Sequence, residues 1–172
     1  MKKVISLLFV VALFIGTPLF LNAQSSVTAH ATAEVIMALS ATETAQLNFG
    51  RFSPEISGGE VKLSPEGVRT ATGTVALSGG TYNAAIFVLT GQNNASVSIV
   101  IPTAPALLSN SETGRTMQVT DWESYPVAGT NAAVLNNGLL NLNVGATLKV
   151  GTRNDNPVGI YSGTYSITFS YN

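Results

Sequence analysis

The chain has 172 residues, and only 10% of them are charged. Its first 23 residues read as a secretory signal, and the 149 that remain are the size of one domain with a formal charge of −3, from six basic and nine acidic side chains. Nucleic acids and anionic membranes require clustered Lys and Arg, so this weak acidity argues against both as partners. The absence of cysteine excludes a disulfide scaffold, a thiol nucleophile and a cysteine-ligated metal.

Residues 1–23 predict a signal peptide. Two lysines precede a nearly continuous apolar run over residues 4–15, which ends at a Gly-Thr-Pro sequence, and Ala23 before Gln24 supplies the small residue that cleavage prefers. A membrane anchor is the alternative, because the apolar stretch nearly reaches the length of a bilayer span. The break and the Ala-Gln junction favour cleavage. We therefore expect a protein of the periplasm, outer surface or extracellular space, with no membrane span in the mature chain.

Apolar and polar residues alternate along the segment that follows the signal. Even positions carry Thr28, His30, Thr32 and Glu34. Every odd position over residues 27–39 is apolar: Val27, Ala29, Ala31, Ala33, Val35, Met37 and Leu39. A period of two is typical of a β-strand with one apolar face. We predict a strand over this segment.

Further strands are predicted along the rest of the chain. Apolar residues occupy every even position over residues 140–150, and shorter candidates are separated by turns rich in Gly, Asn, Ser and Pro. The shorter candidates cover residues 47–52, 59–63, 68–77, 84–90, 97–101 and 116–122. Many short strands with regularly spaced turns predict an all-β fold, here a single immunoglobulin-like antiparallel β-sandwich over residues 24–172.

An enzyme needs titratable groups that converge, and this sequence offers few. His30 is the only histidine, and it lies on the polar face of the first predicted strand. The chain has no second histidine and no cysteine that could bind a metal together with it. Motifs for phosphate, dinucleotide and zinc binding are absent, as is the Gly-x-Ser-x-Gly nucleophile elbow. We predict a non-enzymatic protein with no catalytic residue, no cofactor and no metal.

Two groups of polar side chains are candidate ligand sites. Asp121 and Glu123 flank Trp122, the only tryptophan, and on a strand they share a face wide enough for a sugar ring or Ca²⁺. A strand end with Trp122 in the core and both acids in water is the simpler interpretation. Residues 154–157 read Asn-Asp-Asn-Pro, which favours a turn over a calcium loop. The aromatic residues outside an inward strand pattern are Trp122, Tyr82 and Tyr125.

The last fourteen residues alternate more regularly than any other segment, with Ile160 as the single exception. The odd positions are Gly159, Tyr161, Gly163, Tyr165, Ile167, Phe169 and Tyr171. This pattern predicts one long strand that runs to the end of the chain, with Tyr165, Ile167 and Phe169 pointing into the core.

This C-terminal segment resembles that of fimbrial subunits assembled by periplasmic chaperones and outer-membrane ushers. Those subunits carry a glycine fourteen residues from the end and an aromatic penultimate residue, matched here by Gly159 and Tyr171. The resemblance implies that the C-terminal strand pairs with a chaperone and that an N-terminal extension completes a neighbouring subunit by strand addition. Residues 24–39 would be that donor strand, through Val27, Ala29, Ala31, Ala33 and Val35. The disulfide of the better-known members is missing.

A second resemblance covers nearly the whole mature chain. It is to an uncharacterised secreted bacterial family, a domain of unknown function that is itself similar to fimbrial subunits. It rests on residues 47–50, 69–73, a hairpin over 87–102, 144–148 and 163–172. Together the two resemblances imply a secreted or cell-surface structural protein whose partners are further copies of itself or a chaperone. A monomeric surface module that binds glycans or proteins is the alternative, because any complete sandwich also has alternating end strands.

Overall fold

The computed structural model describes residues 24–172, and the signal peptide predicted for residues 1–23 lies outside the described residues. The chain divides into two units, Met1–Glu34 and Val35–Asn172. In the first unit the described residues, 24–34, are exposed and have no regular secondary structure. All the strands belong to the second unit.

Eleven strands form the second unit, and residues 24–172 contain no helix. In chain order they are β1 Ser40–Ala45, β2 Phe52–Leu63, β3 Arg69–Leu77, β4 Ala85–Thr90, β5 Ser96–Val100, β6 Ala106–Asn110, β7 Thr116–Tyr125, β8 Gly129–Val134, β9 Leu139–Val150, β10 Tyr161–Ser162 and β11 Thr168–Tyr171. Every pairing between them is antiparallel. The predicted all-β antiparallel sandwich is confirmed.

Strand β9 is the centre of the larger sheet. Its first half pairs with β4, its second half pairs with β2, and β7 lies along its other side. The larger sheet has the order β1-β4-β9-β7-β6-β10, with β2 paired to the second half of β9 and β3 paired to β2. The smaller sheet has the order β11-β5-β8. The apolar face read over residues 140–150 is the face of β9 that packs into the core, where Leu142, Val144, Ala146, Leu148 and Val150 are buried.

Two clusters of buried side chains form the core. The first cluster includes Phe49, Val61, Leu63, Val75, Met117, Val119, Ala146, Leu148 and Val150. The second cluster includes Ala85, Leu89, Val97, Ile99, Leu135, Leu142 and Val144. Trp122 is half-buried and packs against both clusters. The core thus follows β9 from one end to the other.

Most of the internal strands were predicted within a few residues, but three expectations in this part of the chain were incomplete or wrong. The predicted strand over 47–52 is reduced to an isolated bridge between Asn48 and Asn83. The predicted hairpin over 87–102 does not form, because β4 and β5 lie in different sheets. Strands β1, β6 and β8 were not predicted, because their apolar and polar residues do not alternate clearly. Each lies at or near a sheet edge and has few side chains that face the core.

The predicted N-terminal strand over residues 27–39 is wrong for the single chain. Residues 24–39 have no strand partner within the described chain, and the first strand is β1. An isolated extended segment satisfies none of its ladder hydrogen bonds, so alternation alone does not make it a strand.

The predicted single strand over residues 159–172 is also wrong, although its side-chain alternation is confirmed. The segment forms β10 against β6 in the larger sheet and then β11 against β5 in the smaller one. Tyr165, Ile167, Phe169 and Tyr171 are half-buried and pack against the second core cluster. Because the segment crosses from one layer to the other, one continuous ladder cannot follow it.

Candidate functional site

The N-terminal segment, residues 24–38, presents apolar side chains that nothing in the described chain covers. Every residue in it is exposed, and Val27 and Val35 are 87% and 97% exposed. Ala29, Ala31 and Ala33 lie between them at the same spacing of two. A regular apolar face left in water together with an unpaired backbone has the chemistry of a strand that adds to another sheet.

The hydroxyl of Tyr171 anchors the chain where this segment joins the domain. It donates a hydrogen bond of 2.9 Å to the carbonyl of Met37 and accepts one of 2.6 Å from the backbone N–H of Gln92. The side chain of Gln92 accepts a further bond of 3.2 Å from the Met37 N–H. A Cβ at Gly91 would collide with the tyrosine hydroxyl, so glycine is required at this close approach. The penultimate residue therefore fixes the exit point of the N-terminal segment.

Replacing Tyr171 with phenylalanine is expected to release this exit point. The change removes both hydroxyl bonds and leaves the Gln92 amide without its partner, which should cost about 1–2 kcal/mol of unfolding free energy. Amide exchange at Met37 and thermal unfolding measure the two consequences. Tyr125→Phe is the matched control, since that side chain is exposed. Unchanged exchange at Met37 and an unchanged Tm in Tyr171→Phe would contradict the anchoring role.

The C-terminal segment supplies an open edge. Strand β11 is the edge of the smaller sheet and pairs only with β5, while residues 163–167 have no strand partner within residues 24–172. Tyr165 and Ile167 nevertheless pack inward. The segment is therefore oriented like a strand but has a backbone free to pair, which is the usual template for strand addition.

Gly159, the other residue of the C-terminal pattern, has a local structural role. Its φ is +152°, and a Cβ there would collide with the side-chain amide of Asn110, which is buried. That amide oxygen accepts bonds from the N–H groups of Glu112 and Thr113, at 2.9 and 3.2 Å. Glycine thus lets the chain pass close to the turn that precedes β7. Gly159 and Tyr171 lie at opposite ends of a crossing between two sheets, so they form no joint site.

The acids around Trp122 form ion pairs on the protein surface. Asp121 lies in a bulge of β7 at a φ of +48°, and its carboxylate is 3.4 Å from the Lys149 ammonium. The carboxylate of Glu123 is 2.7 Å from Lys62 Nζ. The Thr120 hydroxyl bond, supported by the charge of Lys149, keeps the pKa of Asp121 below its usual value. Both acids are exposed, as the simpler interpretation expected, but they lie in a bulge within β7 and not at a strand end, and Trp122 is half-buried against both core clusters.

The Asn-Asp-Asn-Pro sequence forms a turn, as predicted. The Asp155 carboxylate accepts bonds from the hydroxyl and the N–H of Thr152, at 2.7 and 3.2 Å. Buried Asn156 accepts a bond of 2.6 Å from the Gly151 N–H and donates one of 3.0 Å to the Thr116 carbonyl. Among residues 24–172 no three potential ligands of the His, Cys, Asp and Glu types are grouped around a common point. His30 is exposed in the N-terminal segment.

A cleft of about 410 Å³ opens beside Trp122. Its lining residues come from three separate parts of the chain: Pro65, Glu66, Ile101, Trp122, Glu123, Ser124, Tyr125, Val127 and Ala128. Sequence reasoning singled out Trp122, Glu123 and Tyr125 but missed the residues that reach the cleft from other parts of the chain. No local pattern predicts the cleft, because residues 65–66 and 101 reach it only through the pairing of distant strands.

Comparison with known proteins gives one match. A family model described as a domain of unknown function, DUF4402, matches residues 39–171, and no curated protein or solved structure matches the chain. The match begins after residues 24–38, so the N-terminal segment precedes the region that the family shares. Nothing in these comparisons links the chain to fimbrial subunits. In the part of the chain that the structure describes, no helix is long and apolar enough to cross a membrane.

Proposed function

Since the chain belongs to the DUF4402 family of domains of unknown function, we propose that it is a non-enzymatic structural protein, exported to the periplasm or cell surface. Its copies assemble when the N-terminal segment of one adds as a strand to the sandwich of the next. A periplasmic chaperone holding the same edge before assembly is the second partner of this proposal. The fimbrial resemblance of the two chain ends supports it.

The observation that carries the proposal is the N-terminal segment itself. Its apolar face alternates with a period of two, yet residues 24–38 are exposed and unpaired in their own chain. Pairing with a second sheet would bury this face at roughly 25 cal/mol per Å² of apolar surface and satisfy the free backbone groups. The regular apolar face of the N-terminal segment would then serve to pack against a second copy, since it packs against nothing in its own chain.

The other half of the junction is the C-terminal segment. Residues 163–167 and β11 offer an edge at which a strand can pair, next to half-buried Tyr165, Ile167, Phe169 and Tyr171. These side chains are covered on the inside by the second core cluster and are partly open on the outside. An added strand would therefore extend a surface that is already apolar.

The non-enzymatic part of the proposal draws on the roles of the polar side chains. Asp121 and Glu123 are held by lysines, and Asp155 and Asn156 stabilise a turn. These groups are engaged in the structure of the domain, which supports a structural protein over an enzyme.

Truncation tests the assembly. Purified residues 24–172 should form a ladder of oligomers that survives mild denaturant. Residues 35–172 should remain monomeric, because they lack Val27, Ala29, Ala31 and Ala33 of the donor segment but keep the compact unit. Size-exclusion chromatography with light scattering gives the mass of each. A synthetic peptide of residues 24–34 should bind the truncated protein. Two monomeric proteins, or two that oligomerise equally, would contradict the proposal.

A further inference from the structure

The cleft beside Trp122 exposes large apolar side chains next to the proposed junction, since the Trp122 ring packs on Tyr165 with ring centroids 4.6 Å apart. Tyr125 is 66% exposed and Val127 is 75% exposed, although both are large apolar side chains next to the core. The hydroxyl of Ser124 donates a bond of 2.9 Å to the Pro126 carbonyl and so holds the turn that presents them. With Trp122 and Ile101 they give the cleft a lining that is largely apolar, as small-molecule sites have.

Two carboxylates stand at the same cleft. Glu66 belongs to the turn between β2 and β3, where the Ser64 hydroxyl bond lowers the pKa of its carboxyl, and it is therefore ionised at neutral pH. Glu123 keeps one oxygen on Lys62 at 2.7 Å. Ionised carboxylates only accept hydrogen bonds, so they select a ligand that donates them.

From this combination we infer that the cleft is a binding site for a neutral glycan. A sugar ring has an apolar C–H face that suits the exposed ring of Tyr125 beside half-buried Trp122, and its hydroxyls can donate to Glu66 and to the Glu123 oxygen that Lys62 does not hold. The volume of about 410 Å³ lies within the usual range of small-molecule sites, about 300–1,000 Å³. This inference does not depend on assembly.

A cationic ligand is the competing reading, and the charges around the cleft disfavour it. The ammonium of Lys62 already neutralises Glu123, so Glu66 is the only carboxylate of the lining without a bonded cation among the described residues. One exposed carboxylate attracts a cation weakly in water. The hydroxyls of a neutral glycan can still donate hydrogen bonds to Glu123, because the ion pair with Lys62 lowers the net charge at the cleft and not the number of acceptor oxygens.

Tryptophan fluorescence can report binding at this cleft, because Trp122 is the only tryptophan of the chain. The mature protein is titrated with maltohexaose, cellohexaose and chitohexaose, and separately with trilysine as the cationic probe. We expect at least one hexasaccharide to shift or quench tryptophan emission with saturation, and trilysine to leave it unchanged. Saturation by trilysine alone, or no response to any hexasaccharide at millimolar concentration, would overturn the inference.

Variants then locate the binding. Tyr125→Ala should lower the affinity for the responding hexasaccharide by about tenfold, because the aromatic face is lost. Tyr125→Phe keeps the aromatic face and should bind with nearly the affinity of the unchanged protein. Glu66→Gln should lower the affinity for the same hexasaccharide by a smaller factor, since the oxygen of the glutamine amide still accepts a hydrogen bond. Ile160→Ala, an exposed change away from the cleft lining, is the control. Equal affinities in Tyr125→Ala and the control would place binding elsewhere and reject this site.

Discussion

Replacing Ala31 with aspartate is expected to abolish assembly and to leave the folded domain intact. Ala31 lies on the apolar face of the N-terminal segment, so strand addition would bring its side chain against the core of the neighbouring copy. An ionised carboxylate there would have no partner. A penalty of about 3 kcal/mol in the free energy of association lowers the association constant by more than about a hundredfold. Every junction of a polymer would carry the same unpaired carboxylate.

The control for this charge is Thr32→Asp. Thr32 follows Ala31 directly, so in an added strand its side chain points to the opposite, solvated face. The same charge at this position should leave the oligomers in place. Light scattering measures the oligomers, and circular dichroism with thermal melting confirms the fold of each monomer. Equal loss of oligomers in both variants would show that alternation does not govern the junction.

Replacing Leu142 with alanine is expected to have the largest effect on stability. Leu142 is fully buried at 0% exposure in the middle of β9, where it packs in the second core cluster. Truncation removes apolar contacts and leaves a cavity, at a cost of about 2–5 kcal/mol. Because the whole domain is stabilised by about 5–15 kcal/mol, this one change removes a large share.

Leu139→Ala provides the comparison on the same strand. Leu139 is 51% exposed, and its truncation should cost below about 1 kcal/mol. Urea unfolding of both variants gives the two free energies. Truncation of Ile167 or Phe169 to alanine should lower the free energy of unfolding by an amount between these two values, because both side chains face the core but are only half-buried. Equal losses in Leu142→Ala and Leu139→Ala would contradict this assignment of the core.

The sequence predicted the fold class because the period of two is a local property. Along β9 each inward leucine or valine alternates with a polar residue, and the alternation is the same whichever strands come to lie beside it. The turns between strands were equally readable, since Gly, Asn and Pro act on the backbone where they stand. The turn at residues 154–157 is one example that needed no tertiary information.

What pairs with an alternating segment was decided only in the tertiary structure. The same pattern occurs in residues 27–39, in β9 and in the C-terminal segment, yet the first is unpaired, the second is central, and the third crosses between two sheets. The contact of Tyr171 with Met37 and the cleft beside Trp122 join residues far apart in sequence. The sequence by itself determined which faces are apolar, whereas the fold decided what covers each face, because burial depends on partners that no local period specifies.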